Sequence, residues 1–199
     1  MLTFKNYNIA DWFSFYRIFA APFLLVLIWL DIQLIFTWFL LISYLTDAID
    51  GFLARKLKIT TARGSQLDSF GDQITLIIGL IGLFYFENEF IKTNLTIILI
   101  AFIPYIIQML LAFYKYGKAT AFHTYLAKIS AVVQSFFILW SLFFNAEYSL
   151  FYLMIIVGIL ETIEEVSLIF MYDDWVSDVK SIFWALKDER RIKNIKNKK

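Results

Sequence analysis

Cysteine is absent from the 199-residue chain, so disulfides and thiolate chemistry are excluded, and no redox compartment can be inferred. Histidine occurs once, at His123, with no second histidine or cysteine to support it as a metal ligand. Charge is scarce as well. Asp, Glu, Lys and Arg make up 18% of the residues, against 60% hydrophobic and 20% aromatic; a soluble domain sits near about 45–50% apolar. The apolar runs are continuous rather than alternating, which argues against a β-barrel. No repeat, linker or second domain is visible, so residues 1–199 read as a single membrane domain. The opening MLTFKNYNIADW is too polar for a signal peptide, and no cleavage site follows the first apolar run.

Apolar stretches of the length that crosses a hydrocarbon core, about 17–25 residues, recur along the whole chain. They predict an all-α, polytopic membrane protein with six transmembrane helices, near 12–30, 32–57, 66–87, 94–114, 123–144 and 148–172. Juxtamembrane amphipathic helices are expected to flank the bundle. Leu2, Phe4, Tyr7 and Ile9 belong to an interfacial segment at 1–11. Val176, Val179, Phe183 and Leu186 recur at helical spacing in 173–199, with Trp175 and Trp184 as interfacial anchors. Connectors 1–2, 3–4 and 5–6 hold Asp31, Glu87, Glu89 and Glu147. They hold Lys92 as their one cation among the eighteen Lys and Arg residues. The positive-inside rule then puts both termini on the cytoplasmic side, of the cytoplasmic membrane if the source is bacterial. The basic stretch Lys187–Lys199 reads as a solvated tail near anionic lipid, and no nucleic-acid partner is expected.

Into this apolar chain is set D-A-I-D-G-F-L-A-R, then eight residues, then G-S-Q-L-D-S-F-G-D. Asp47 and Asp50 lie three apart, and Asp68 and Asp72 four apart, so each pair projects from one face of a helix. A carboxylate at membrane depth costs roughly 2.5–3.5 kcal/mol and calls for a partner. Four acids converging on a point want divalent cations. Oxygen donors without His or Cys select Mg²⁺, Mn²⁺ or Ca²⁺ over zinc or copper, and two acidic pairs can hold two ions in the manner suited to displacement at phosphorus. Gly51 and Ala54 leave room for close approach, and Arg55 offers a planar fork to a diphosphate. Gly64 falls in a short polar connector, 56–65, where a nucleotide can enter from the cytoplasm.

The spacing D-x2-D-G-x2-A-R-x8-G-x3-D-x3-D resembles the signature of the CDP-alcohol phosphatidyltransferases at every position: Asp47, Asp50, Gly51, Ala54, Arg55, Gly64, Asp68 and Asp72. The six-helix hydropathy fits that family too. The resemblance implies an integral membrane phosphotransferase of phospholipid biosynthesis. An alcohol attacks CDP-diacylglycerol or another CDP-linked donor, a phosphodiester forms and CMP leaves. It implies that Asp47, Asp50, Asp68 and Asp72 hold two Mg²⁺ or Mn²⁺ ions, with Asp72 also the general base. Gly51, Ala54, Arg55 and Gly64 would bind the CDP moiety. A homodimer among membrane lipids is implied as well.

Fainter features touch the acceptor. Asn8-Ile9 and Arg17, with Lys128 and Gln134, resemble positions of the phosphatidylglycerophosphate synthase branch, with Ser14, Ala127 and Ser130 as departures. The Arg-Glu pair associated with that branch's fourth helix is missing from P-Y-I-I-Q-M-L-L. Arg17, Lys128, Lys115 and Lys118 can supply positive charge to an acceptor phosphate, and His123 is a candidate headgroup contact. Glycerol 3-phosphate and phosphatidylglycerol are the favoured acceptors, ahead of inositol phosphate, serine or an amino alcohol. Glu161, Glu164 and Glu165 are expected to reach water or pair with basic side chains, with an acceptor-site role or a contact between subunits as alternatives, and Gly79 and Gly82 to permit close helix packing. Two other classes stand beside the enzyme. In a divalent-cation transporter acids should be spread through the membrane depth, and Arg55 would repel the ion. A scaffold leaves four costly acids unexplained.

Overall fold

The structure is a computed structural model that describes residues 9–57 and 62–187, those at 9–11, 48, 50–57, 62–66 and 69 by backbone alone. Six helices follow one another: α1 Ile9–Trp29, α2 Gln33–Leu57, α3 Ala62–Phe86, α4 Asn88–Tyr116, α5 Tyr125–Phe144 and α6 Tyr148–Met171. All six expected helices are present. Three of them start earlier than hydropathy predicts, α1 at 9, α3 at 62 and α4 at 88, because their first turns are polar and helical hydrogen bonding continues where apolar character stops. Among the described residues three stretches are long and apolar enough to cross a membrane: Trp12–Trp29, Asn88–Tyr116 and Tyr125–Phe144. Shorter apolar helical segments span Gln33–Asp47 and Phe70–Phe86. Among the described residues β-pairing is limited to one isolated bridge, Ala121 with Ser177.

The tight connectors have a local cause. After α1, Asp31 takes a left-handed conformation (φ 58°), and its N–H bonds the Ile28 carbonyl while that of Ile32 bonds Leu27. This is the paired 5→2 and 6→1 pattern of a Schellman stop. Gly117 (φ 69°) and Asn145 (φ 78°) end α4 and α5 by a single bond to the carbonyl four residues back. Several serines and threonines inside the helices donate to the carbonyl one turn back, as Thr37 does to Gln33, Ser43 to Phe39 and Thr75 to Gly71. Their hydroxyls are thereby satisfied within the helix.

The chain forms two compact units, Met1–Ile91 with Ser135–Ala146, and Lys92–Gln134 with Glu147–Lys199. In the first, α1, α2 and α3 pack together around Leu24, Leu27, Phe36, Leu40, Ile78 and Leu83, joined by Phe137, Ile138 and Leu142. Gly79 and Gly82 make that packing close, as expected. A Cβ on Gly79 would lie 2.7 Å from the Tyr44 hydroxyl, and one on Gly82 would strike the Phe36 ring. Gln33 of α2 donates to the Leu142 carbonyl at 3.0 Å.

In the second unit the segment after α6 folds back along the α4–α5 connector. Val179 N–H bonds the Phe122 carbonyl (2.8 Å), Asp178 N–H that of Ala121 (3.2 Å), and Tyr125 N–H that of Lys180 (3.0 Å). Val179 is buried with Ala112, Phe122, Leu168, Ile169 and Ala185. This corrects the expectation of an amphipathic helix from 173 onward. Among the described residues after α6, helix occurs only at 182–187, and Val179 faces the protein core rather than lipid. Asp178 adopts φ 60°, which a continuous helix cannot contain. Trp175, Phe183, Trp184 and Leu186 remain exposed, with Lys118 3.6 Å above the Trp175 ring and Lys180 and Lys187 near Trp184. Leu2, Phe4, Tyr7 and Asn8, and the basic tail beyond Lys187, lie outside the described residues; Ile9 begins α1.

Candidate functional site

Asp47 reaches in from α2, and Asp68 and Asp72 from successive turns of α3. One carboxylate oxygen of each lies within 4.8 Å of the others. Three anions so close repel unless a cation sits among them. Here the cation is Arg17 of α1. Its Nη1 donates to Asp47 Oδ1 at 2.6 Å and to Asp72 Oδ1, while Nη2 donates to Asp68 Oδ1 at 2.7 Å and to Ser14 Oγ at 3.3 Å. The Arg17 side chain is wholly buried, whereas those of Asp47, Asp68 and Asp72 are 43, 38 and 46% exposed. The guanidinium therefore closes the inner side of the cluster, and the carboxylates open outward.

Two residues prepare the place for Arg17. Ser14 precedes it by three positions on α1, on the same helix face, and accepts from Nη2. Gly71, between Asp68 and Asp72, clears the path across α3: a Cβ there would lie 3.3 Å from Arg17 Nε and 3.5 Å from Cζ. Sequence reasoning missed Gly71 as a functional position, although its place beside Asp72 was a usable signal. It also set Arg17 toward an acceptor phosphate, and the structure places it on the aspartates.

The donor set suits a divalent cation. It is all oxygen, drawn from two helices, partly open to solvent, and already gathered around positive charge. Of the remaining motif positions, Asp50, Gly51, Ala54 and Arg55 lie on the last turns of α2, described by backbone alone. Gly64 was expected in a connector; it is helical, in the first turn of α3, and what intervenes outside the described residues is only 58–61.

His123 and Lys128 belong to the second unit. His123 is exposed in the α4–α5 connector with φ 51°, and Lys128 lies in the first turn of α5 with Nζ 5.9 Å from the Tyr125 ring centroid. Lys115 donates to the Ile169 carbonyl at 2.8 Å, so it caps the last turn of α6. Two of the α6 glutamates accept from neutral donors rather than from the basic side chains that were one expected set of partners. Glu165 accepts from Gln108 Nε2 (2.7 Å) and Thr120 Oγ1 (2.6 Å), and Glu164 Oε1 from the Ile182 N–H (3.0 Å). Gln108, read from sequence only as a departure from Arg-Glu, is the buried partner that holds Glu165.

The family model for CDP-alcohol phosphatidyltransferase matches residues 7–163, a stretch that contains Arg17, all four aspartates, His123 and Lys128. Similar proteins include two bacterial CDP-diacylglycerol–glycerol-3-phosphate 3-phosphatidyltransferases. That of Wigglesworthia glossinidia brevipalpis is 34% identical over 100 residues, 47% of this chain and 53% of the relative. That of Haemophilus influenzae is 32% identical over 99 residues, 48% and 54% of the two chains. The chain thus spans about half the length of the curated relatives it matches. No solved structure matches it. Three of the signature aspartates converge on one cationic point, and the family model covers more than half of a chain with three helices of membrane length among its described residues. The chain belongs to the CDP-alcohol phosphatidyltransferase family and is an integral membrane protein.

Proposed function

We propose that this protein transfers a phosphatidyl group from a CDP-linked donor such as CDP-diacylglycerol to an alcohol, releasing CMP, in phospholipid biosynthesis. The observation that carries the reading is the convergence of Asp47, Asp68 and Asp72 within 4.8 Å, at family spacing and with an open outer face. These three, with Asp50 by its motif position, would hold Mg²⁺ or Mn²⁺. Bound there, divalent ions neutralise charge on the diphosphate and stabilise the departing CMP. Asp72 takes the proton from the acceptor hydroxyl as its oxygen bonds to the phosphatidyl phosphorus and the bond to CMP breaks. Arg55 grips the diphosphate with two parallel donors, and Gly51, Ala54 and Gly64 admit the nucleotide.

Relatives named as glycerol-3-phosphate 3-phosphatidyltransferases favour glycerol 3-phosphate over phosphatidylglycerol as acceptor. We retain His123 and Lys128 as proposed acceptor contacts. Six membrane spans, cytoplasmic termini and a homodimer complete the proposal. Cation transport is the weaker alternative, because a buried guanidinium fills the inner side of the cluster.

The deciding assay follows CMP release from CDP-diacylglycerol by purified protein in detergent. Glycerol 3-phosphate, phosphatidylglycerol, inositol phosphate, serine and ethanolamine are offered separately, with Mg²⁺, Mn²⁺ or EDTA. Metal-dependent release with one alcohol, lost in EDTA, is the expected result. Silence with every alcohol from folded protein overturns the donor assignment.

A further inference from the structure

We propose that Arg17 is the built-in counter-ion of the aspartate site, and that divalent cations bind there in competition with it. The inference rests on reading Asp47, Asp68 and Asp72 as the cation ligands. Arg17 Nη1 occupies Asp47 Oδ1 and Asp72 Oδ1, and Nη2 occupies Asp68 Oδ1. One carboxylate oxygen of each of the three lies within 4.8 Å of the others, so an ion at their centre would draw on the carboxylates that Arg17 already holds. An arginine does not yield by losing its proton, so it keeps its full charge at any working pH. Nor is it diluted by water, since its side chain is wholly buried. A divalent ion arriving through the open face therefore meets a fixed positive charge and must draw the carboxylates away from it.

The consequence runs in two directions. Without divalent ions Arg17 keeps three like charges assembled, so the site is preformed before its ions arrive. With them, part of the binding free energy is spent on loosening the guanidinium, so the affinity is lower than the carboxylates alone would give. Such coupling is reciprocal, and ordinary values change affinity by roughly 5–150-fold. Gly71 and Ser14 set its strength, Gly71 by leaving space beside Nε and Ser14 by anchoring Nη2. Arg17 is thus a positioning residue for the site rather than a group that reacts.

The test titrates Mn²⁺ into the full-length, detergent-purified protein and follows free Mn²⁺ by electron paramagnetic resonance, with thermal midpoints recorded in EDTA and in saturating Mn²⁺. Arg17→Gln should bind Mn²⁺ at least about 5-fold tighter than the parent protein. Its midpoint should fall in EDTA and recover in Mn²⁺. Arg17→Lys, which keeps the charge and loses the fork, should lie between. Gly71→Ala and Ser14→Ala should shift affinity in the same direction by less, and they decide the matter if Arg17→Gln does not fold in either buffer. A purely structural arginine predicts equal destabilisation with and without Mn²⁺ and unchanged affinity; that result, or weaker Mn²⁺ binding, overturns the proposal. If the parent protein itself binds no Mn²⁺, the reading of the aspartates as ligands falls with it.

Discussion

Asp72 and Arg17 share a contact, yet substitution at each should fail differently. Asp72→Asn keeps shape and removes the proposed base. CMP release should drop by about 10²–10⁴-fold, the usual contribution of a general base, while binding of a CDP-linked donor is largely retained. Equilibrium binding of CDP-diacylglycerol beside a turnover assay checks both halves; unchanged turnover removes Asp72 as base. Arg55→Lys replaces a planar fork with a point charge and should raise the Kd for the CDP donor with little change in folding. An unaltered donor affinity would leave Arg55 with helix packing alone. At this scale the sequence was informative about the acids, because a carboxylate in an apolar run has few reasons to exist. It was uninformative about Arg17, whose partners lie 30, 51 and 55 positions away. Spacing along one helix says which residues share a face, and it does not say which neighbouring helix that face meets.

Helices α2 and α3 are the pair that brings Asp47 to Asp68 and Asp72, and their approach depends on glycine. Gly82→Ala would drive a methyl into the Phe36 ring and should destabilise the protein by about 1–3 kcal/mol. Phe36→Leu in the same chain should recover part of that loss, and thermal unfolding in detergent measures both. Close packing at Gly79 and Gly82 was legible from composition, since small residues in an apolar helix have packing as their simplest use. The segment after α6 was not. Val176, Val179, Phe183 and Leu186 satisfy a helical spacing, but backbone hydrogen bonds to Ala121 and Phe122 and the left-handed Asp178 hold 176–180 as a strap. Val179→Asp puts an unpaired charge among Ala112, Phe122 and Leu168. Trypsin cleavage at Lys180 should then speed up roughly 5–30-fold, the effect of about 1–2 kcal/mol on a local opening equilibrium. Cleavage at the parental rate would mean that the strap is held elsewhere.

For the whole molecule, orientation is the property most open to direct measurement, and the absence of cysteine makes the chain ready for it. Helix α5 has 20 residues, about 30 Å, the thickness of a hydrocarbon core. Glu147→Cys, just past one end, should react with an impermeant maleimide on intact cells. Lys118→Cys, just before the other end, should react only after permeabilisation. Labelling of both from one side would overturn the proposed topology. Apolar run lengths, the separation of cations from acids, and the eight-position signature by themselves determined an all-α membrane protein and its family, since insertion energies and fixed catalytic spacing act along the chain. The tertiary structure alone decided that Arg17 closes the aspartate cluster, that Gly71 makes room for it, that Gln108 and Thr120 hold Glu165, and that Val179 is core. Each of these depends on the rotation and approach of segments distant in sequence, and their charges and volumes act on one another only after the helices have packed.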